Sequence, residues 1–350
     1  MKTKHMANQP IFFERNRVWR VYLGGALFHD FFGDEREDNN YPEEWIVSNV
    51  HALNQSDDPK EGISKVKDTD IYFDDLLKAE HYAMLGERKE FGMLVKALDS
   101  AMRLPVQAHP DKAFSLQYFK SGYGKVESWI ILATRDDAKI YYGFNKKITE
   151  EEFIDAIERN ETDKSALEEL MHCIPVQTGD VFLVPAKMVH AIGAGCLLLE
   201  VQEPTDFTIA PEAWCGDIHI SEQQKYLDLP RETALKCFDY DLFGKQAEEF
   251  GRMIPRVMID TDEYQSQMLI DFDDTPCFSV RRHTIKKQMV LKNAPCVFVV
   301  TNGNGILQWS QGQAELKKGD YFFLPFSMAE KCTIKADDIE LLECIPPRQM

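Results

Sequence analysis

The chain alternates between short apolar runs typical of β-strands and two stretches with helical spacing. The runs ESWIILAT, GDVFLVP and GCLLLEV are rich in bulky aliphatic and aromatic residues, many of which favour strands. Apolar residues approach the i, i+3, i+4 spacing of an amphipathic helix in FDDLLKAEHYAML and again after Thr149. Thr149 is followed three residues later by Glu152, which is the pattern of a capping box. The pattern therefore predicts a mainly β protein with helical insertions at about 60–100 and 148–172.

One short pattern occurs twice along the chain. Gly-Asp, four bulky apolar residues and a proline stand at 179–185 and again at 319–325. Each copy is followed by a run that ends in Leu-Leu-Glu, at Glu200 and at Glu343. A turn that leads into a buried strand ending at a proline recurs in small antiparallel β-barrels. We therefore expect two related barrels in tandem.

The two copies differ at one chemically important position. Five residues after the shared proline, the first copy has His190 and the second has Glu330. An imidazole is a good ligand for zinc, and nothing resembling a second ligand set precedes Glu330. The expected division is a metal-binding domain over 1–250, which carries both insertions, and a smaller metal-free domain over 251–350.

The composition disfavours some classes of function but does not identify the function. The 350 residues are 44% hydrophobic and 28% charged, with a formal net charge of −18. This composition is ordinary for a globular protein, and the negative charge disfavours a nucleic-acid partner. No run of 18 apolar residues and no apolar signal segment occurs, so we expect a cytoplasmic protein without a membrane span. None of the eight cysteines forms a C-x-x-C pair, which favours buried, reduced thiols.

Four polar residues form the strongest candidate site. Gln107 and His109 are two residues apart on a predicted strand, so both side chains face the same side. Glu127 lies on the next predicted strand, and His190 follows the first G-D repeat. Two imidazoles, a carboxylate and an amide oxygen suit a divalent ion, most of all zinc, and leave positions open for a substrate. A single strand histidine is more often a hydrogen-bonded core residue, so the prediction rests on the combination.

The combination also carries a family resemblance. The segments QAHPD, GKVESW and GDVFLVPAKMVHAIGAG occur in this order with a helical stretch between the last two. In these segments the chain resembles class I mannose-6-phosphate isomerases, which are zinc-dependent cupins. The resemblance extends over about two-thirds of the chain and weakens after about residue 230. It implies two cupin-like (jelly-roll) barrels and one Zn²⁺ per chain, held by Gln107, His109, Glu127 and His190.

The resemblance also implies a reaction and further site residues. The expected activity is a zinc-dependent aldose–ketose isomerisation of mannose 6-phosphate and fructose 6-phosphate through a metal-stabilised enediolate. Lys125 and Asp206 match the family's active-site motifs and are the expected catalytic residues. Lys112 and Lys125 are the expected contacts to a sugar phosphate. The oligomeric state is left open.

The sequence departs from the family pattern at Ala210. The family usually has an arginine four residues after the aspartate that matches Asp206, and alanine cannot replace a planar cation. Arg135 or Arg231 could supply the missing group, but nothing in the sequence selects either. One alternative is a divergent enzyme that acts on another sugar, with or without a phosphate. The other is a non-catalytic cupin that binds a carbohydrate. An oxygen-using iron cupin is disfavoured because Gln107 exceeds the usual two-histidine, one-carboxylate set.

Overall fold

The computed structural model describes residues 2–54 and 56–348, and for Lys2 the backbone alone. The helices within these residues are α1 (Lys2–Met6), α2 (Phe28–Phe32), α3 (Phe73–Ala79), α4 (His81–Leu85), α5 (Lys112–Phe119), α6 (Glu150–Arg159), α7 (Glu222–Tyr226), α8 (Arg231–Ala234) and α9 (Gly244–Gly251). Short 3₁₀ helices stand at Glu168–Leu170, Leu235–Cys237 and Phe326–Met328. In this described part of the chain, no helix is long and apolar enough to cross a membrane.

The strands outnumber the helices and confirm the mainly β class. They are β1 (Ile11–Phe12), β2 (Arg17–Val18), β3 (Glu43–Ile46), β4 (Leu94–Asp99), β5 (Glu127–Thr134), β6 (Lys139–Phe144), β7 (Met171–Pro175), β8 (Val181–Val184), β9 (His190–Ile192), β10 (Cys196–Gln202) and β11 (Trp214–Cys215). They continue with β12 (Ile218–His219), β13 (Arg252–Met253), β14 (Arg256–Asp260), β15 (Tyr264–Ile270), β16 (Ser279–Ile285), β17 (Gln288–Val290), β18 (Cys296–Trp309), β19 (Gly312–Lys317), β20 (Tyr321–Leu324) and β21 (Cys332–Ile345).

Two large antiparallel sheets organise the molecule. The N-terminal sheet has the strand order β13-β8-β5-β10-β4-β3-β2. The C-terminal sheet has the order β1-β20-β18-β21-β16-β15-β14, with β17 beside β21 and β19 beside β18. Among the described residues neither large sheet closes on itself. A third, small sheet has the order β7-β6-β9.

The N-terminal sheet is buried on both faces. Val95, Ala97 and Leu199 point towards the C-terminal sheet and join one large apolar core with its Val299 and Leu342. Alternate residues on the same strands point the other way because the side-chain period of a strand is two. The three sheets therefore form consecutive layers, with the N-terminal sheet in the middle.

The opposite face of the N-terminal sheet covers the small sheet. Trp129 and Leu198 on this face pack with Tyr142 and Ile192 of the small sheet. Because this face looks away from the C-terminal sheet, its polar residues lie between the N-terminal sheet and the small sheet, where the site described below is built.

The first helical insertion is shorter than its prediction. The insertion consists of helices α3 and α4, and α4 ends at Leu85. Residues Leu94–Asp99 form strand β4 between β3 and β10. Every residue of LVKALD is buried, and a strand buried on both faces loses the polar–apolar alternation that distinguishes it from a helix. The second insertion is confirmed at α6, where Thr149 and Glu152 form the capping box.

Buried polar contacts join the two large sheets. The carboxylate of Glu44, on β3, is fully buried and accepts hydrogen bonds from the Asn16 backbone at 3.0 Å and from Arg17 Nη1 at 2.6 Å. It also accepts a hydrogen bond from the hydroxyl of Tyr321 on β20. Strand β1 pairs with β20 as well, so N-terminal residues contribute to both large sheets, and the division at residue 250 stays a prediction.

All eight cysteines are unpaired thiols, as predicted, and all but one are buried. Cys173 is the exception, because it is exposed on β7 between the half-buried His172 and the buried Ile174. The expectation of burial is therefore wrong at this one residue.

We expect Glu44→Ala to lower the free energy of unfolding by about 2 kcal/mol, because it removes a buried acceptor from Arg17 and Tyr321. Urea denaturation followed by tryptophan fluorescence measures the change. Glu315→Ala, at an exposed position of β19, is the control and is expected to stay within about 0.5 kcal/mol of the parent. Equal midpoints for the two variants would contradict a stabilising role for Glu44.

Candidate metal centre and substrate cavity

The segment that carries Gln107 and His109 lies between two other pieces of chain. The backbone of Gln107 exchanges hydrogen bonds with His190, at 2.9 and 2.8 Å, and Ala108 does the same with Ile209, at 2.9 and 3.0 Å. The segment makes isolated bridges and not the strand that the sequence predicts. Pro105 and Pro110 bound it and cannot donate to a ladder, so too few residues remain for a strand.

Three of the four predicted metal ligands come together in the interior. The ligand atoms of His109, Glu127 and His190 all lie within 4.8 Å of one another. His109 Nε2 is 3.1 Å from Glu127 Oε2, and His190 Nε2 is 3.5 Å from Glu127 Oε1. Each side chain is at most 2% exposed. Gln107 lines the adjoining cavity, and its role as fourth ligand stays a prediction.

Both imidazoles are held in the form that can bind a metal through Nε2. His109 Nδ1 lies 3.0 Å from the carbonyl of Phe207, and His190 Nδ1 lies 2.8 Å from the carbonyl of Met188. A carbonyl oxygen only accepts, so each Nδ1 carries the proton and each Nε2 presents a lone pair. His190 Nε2 is buried without a hydrogen-bond partner among the described residues. An orphaned buried acceptor of this kind fits a bound cation.

Lys125 places its positive charge beside the ligand atoms of His109 and Glu127. Its ammonium is 2.8 Å from His109 Nε2 and 3.0 Å from Glu127 Oε2. Burial and the nearby ammonium lower the pKa of His109 to about 3, and burial lowers the pKa of His190. Burial alone would raise the pKa of Glu127, but Lys125 and the histidines hold it well below its usual range. The group therefore consists of neutral imidazoles and an ionised carboxylate, which is the protonation state of a metal site.

A second group of charged residues lies on the same face of the N-terminal sheet. Lys96 pairs across the strands with Glu200, and its ammonium is 3.6 Å from Glu200 Oε1, 3.6 Å from Asp206 Oδ1 and 3.7 Å from Glu43 Oε2. Arg20 forms ion pairs at 3.0 Å with both Glu43 and Asp206. Burial, and then the charge of Glu127, raise the pKa of Glu200 to about 7.

Sequence reasoning found Asp206 but missed Arg20, Glu43, Lys96 and Glu200. A signal for two of them was present. Lys96 stands alone in the apolar run MLVKAL, and Glu200 stands alone in CLLLEV. An isolated charge inside a buried strand must be paired or functional. The apolar residues around these two charges predict only a buried strand.

The two groups share one cavity of about 820 Å³. Its lining includes Gln107, Lys125 and Glu127 from the first group and Arg20, Glu43, Lys96, Glu200 and Asp206 from the second. Aromatic and apolar side chains such as Trp19, Phe119 and Phe207 complete the wall, together with polar residues of the segment 218–228. A volume of this size accommodates a small sugar derivative.

Comparison with known proteins decides the family. A family model for "Mannose-6-phosphate isomerase, cupin domain" matches residues 269–339. The "Probable mannose-6-phosphate isomerase GmuF" of Bacillus subtilis is 32% identical over 232 residues, which cover 63% of this chain and 68% of that protein. The chain belongs to the mannose-6-phosphate isomerase family.

Other relatives match nearly the whole length. The mannose-6-phosphate isomerase of Streptococcus mutans is 29% identical over 327 residues, covering 91% of this chain and 92% of that protein. The crystal structure of the mannose 6-phosphate isomerase from Bacillus subtilis superposes with a TM-score of 0.75 at 23% identity, covering 96% of this chain and 99% of that one. The protein therefore has the cupin fold of its family.

Three basic residues that the sequence offers as substrate contacts lie away from the cavity. Lys112 does not line it: its side chain is 55% exposed at the first turn of α5, with its ammonium 3.4 Å from Glu203. Arg135 pairs with Asp38 and Asp99, and Arg231 lies beside Glu158 and Ile154. Neither arginine is part of the lining, whereas Ala210 is. The arginine that the cavity does contain is Arg20.

A buried ion pair holds the ligand-bearing segment of this family member in place. Glu212, which is 1% exposed, accepts hydrogen bonds from Arg103 Nη1 at 2.8 Å, from Arg103 Nη2 at 2.5 Å and from the backbone N–H of Val106 at 2.6 Å. Val106 directly precedes Gln107. Glu212 therefore fixes where the segment enters the site.

We expect Glu212→Gln to weaken binding of a divalent transition-metal ion by about tenfold, because supports behind the ligands typically matter at that level. Calorimetric titration of metal into the metal-stripped protein measures the affinity. Glu248→Gln removes a carboxylate that also pairs with an arginine, Arg252, but lies on α9, and its affinity is expected to match the parent. Equal affinities for the two variants would contradict the positioning role.

Proposed function

We propose that the protein is a zinc-dependent aldose–ketose isomerase that interconverts mannose 6-phosphate and fructose 6-phosphate. The observation that carries the proposal is the buried group of His109, Glu127 and His190, in which His190 Nε2 has no hydrogen-bond partner among the described residues, beside Lys125 at a cavity of about 820 Å³. Membership of the mannose-6-phosphate isomerase family supports the same reaction. A cytoplasmic location remains the prediction made from the sequence.

We propose that one zinc ion per chain is held by Gln107, His109, Glu127 and His190. Two imidazoles and a carboxylate are the usual protein ligands of catalytic zinc. The bound ion would act as a Lewis acid towards the sugar oxygens on the two reacting carbons. The Nδ1–carbonyl hydrogen bonds of the two histidines leave the lone pairs of their Nε2 atoms available, so these atoms would hold the ion.

Lys125 is proposed to stabilise charge that appears during the reaction. The isomerisation moves one proton from C2 of the aldose to C1 and another from the C2 hydroxyl to the C1 oxygen, and negative charge develops on these two oxygens as the C2 proton leaves. The Lys125 ammonium is almost fully buried beside the ligand group, where its charge is weakly screened by solvent. Lys125 thus stabilises the transition state more than the bound sugar.

Asp206 is proposed to hold a sugar hydroxyl while the proton is transferred. Its carboxylate lines the cavity and is fixed by the Leu53 backbone N–H at 2.8 Å and by Arg20 at 3.0 Å. A carboxylate fixed from two sides accepts a hydrogen bond from a hydroxyl without first reorganising. Asp206 therefore orients the reacting part of the substrate.

A non-catalytic carbohydrate-binding role is the second candidate. The observation in its favour is Ala210, which lines the cavity where the family pattern has an arginine. The intact ligand group and the buried Lys125 favour the isomerase. Turnover by the purified protein separates the two.

We expect zinc-loaded protein to form fructose 6-phosphate from mannose 6-phosphate in a coupled assay, and His190→Ala to reduce the rate to background. Removing a buried ligand takes away both the metal and the chemistry it supplies. A chelator should have the same effect, reversed by added zinc. His81→Ala alters an exposed histidine on α4 and should leave the rate unchanged. Absence of turnover in well-folded, zinc-loaded protein would reject the isomerase in favour of the binding role.

We expect Lys125→Met to lower kcat by about 10²-fold with the zinc content retained, because one charge-stabilising donor is typically worth that much. Lys112→Met is the matched control: the same substitution outside the cavity should leave kcat and KM close to the parent. Steady-state kinetics with metal analysis of each variant measures both quantities. A large effect of Lys112→Met with little effect of Lys125→Met would reverse these assignments.

A further inference from the structure

Arg20 presents a fixed guanidinium to the cavity. Its Nε and Nη2 donate to the two oxygens of Glu43, at 3.0 and 3.1 Å, and Nη2 also lies 3.0 Å from both oxygens of Asp206. The side chain is 13% exposed and lines the cavity. Nη1 has no hydrogen-bond partner among the described residues, so its donors remain available to a ligand.

The acceptors that hold Arg20 are themselves fixed. Glu43 accepts a hydrogen bond from Trp45 Nε1 at 2.7 Å and another from the hydroxyl of Tyr22. Asp206 accepts the backbone N–H of Leu53 at 2.8 Å. Arg20 and Asp206 therefore stand side by side as a rigid donor and a rigid acceptor, an arrangement that loses little conformational entropy when a ligand binds.

The charge around Arg20 favours neutral hydroxyls over a phosphate. Two cations, Arg20 and Lys96, are in ion-pair contact with three carboxylates, Glu43, Glu200 and Asp206. The group has no surplus of positive charge, so a dianionic phosphate gains little there and meets carboxylates at close range. A sugar hydroxyl both donates and accepts, and it matches a guanidinium beside a carboxylate.

We propose that Arg20 and Asp206 form a hydroxyl-binding pair that holds the carbon-chain hydroxyls of the sugar, and that the phosphate is bound elsewhere in the cavity. The inference rests on the proposed function and adds to it the part of the substrate that this pair recognises. It makes Arg20 a substrate-contacting residue that selects among sugars by the arrangement of their hydroxyls.

The test compares two probes that each carry half of the substrate's chemistry. Mannitol supplies the open-chain hydroxyls without charge, and inorganic phosphate supplies the charge without hydroxyls. Binding of each to the zinc-loaded protein is measured by calorimetric titration for the parent and for Arg20→Gln. Arg36→Gln is the control, because Arg36 also forms a two-oxygen contact, with Asp30, but is exposed.

We expect Arg20→Gln to weaken mannitol binding by about tenfold, the effect of losing a charged donor, and to leave phosphate binding within about twofold of the parent. Asp206→Asn should show the same selectivity for mannitol, which keeps the test valid if Arg20→Gln does not fold. Weaker phosphate binding with unchanged mannitol binding would overturn the proposal. Unchanged binding of both probes, equal weakening of both, or no mannitol binding by the parent would overturn it as well.

Failure of this inference is distinguishable from failure of the proposed function. The titrations need no turnover, whereas the isomerase proposal stands or falls on fructose 6-phosphate formation by the parent protein. If the parent is active, Arg20→Gln should in addition raise KM for mannose 6-phosphate, with a zinc content equal to that of the parent. An active parent whose Arg20→Gln variant has an unchanged KM would reject the inference and leave the isomerase intact.

Discussion

The burial of charge on one face of the middle sheet is the constraint on which the site depends. Lys96, Glu127 and Glu200 project from strands whose other residues are mostly apolar, and each is at most 3% exposed. An isolated buried charge would cost several kcal/mol. The structure meets this cost by pairing: each charge has an oppositely charged partner within about 4 Å. Removing one member leaves its neighbours unpaired, so the site behaves as a connected set.

The layered architecture makes this pairing possible. The face of the N-terminal sheet that meets the C-terminal sheet is largely apolar and forms the main core. That core supplies the stability that a face crowded with charge cannot provide. Glu44, Arg17 and Tyr321 then connect the two sheets through the same kind of buried pairing. The C-terminal sheet thus supports the site from behind, although its residues do not line the cavity.

Within the site, backbone contacts determine the chemistry of the side chains. The carbonyls of Phe207 and Met188 select the tautomers of His109 and His190, and the Leu53 N–H orients Asp206. These contacts come from loops, and the loops are held in turn by ion pairs such as Arg103–Glu212. Preorganisation of this kind is what permits hydrogen bonds and charges to act without rearrangement during a reaction.

The sequence by itself determined the mainly β class, the helix at Thr149, the strands of both G-D repeats and the three residues of the buried group His109, Glu127 and His190. Each of these follows from local patterns: side-chain periodicity, a cap, or short motifs in a characteristic order. Strand β4 was misread as helical because burial on both faces removes the alternation that identifies a strand.

Only the tertiary structure decided which distant charges meet. Arg20 and Asp206 are 186 residues apart and come within 3.0 Å of each other, and no pattern in a single sequence encodes that contact. For the same reason, the sequence could not select between Arg135 and Arg231, and it could not show that Arg20 is the arginine that lines the cavity with Ala210. Local chemistry determines what a residue can do, but the packing of strands and loops determines which partners it has.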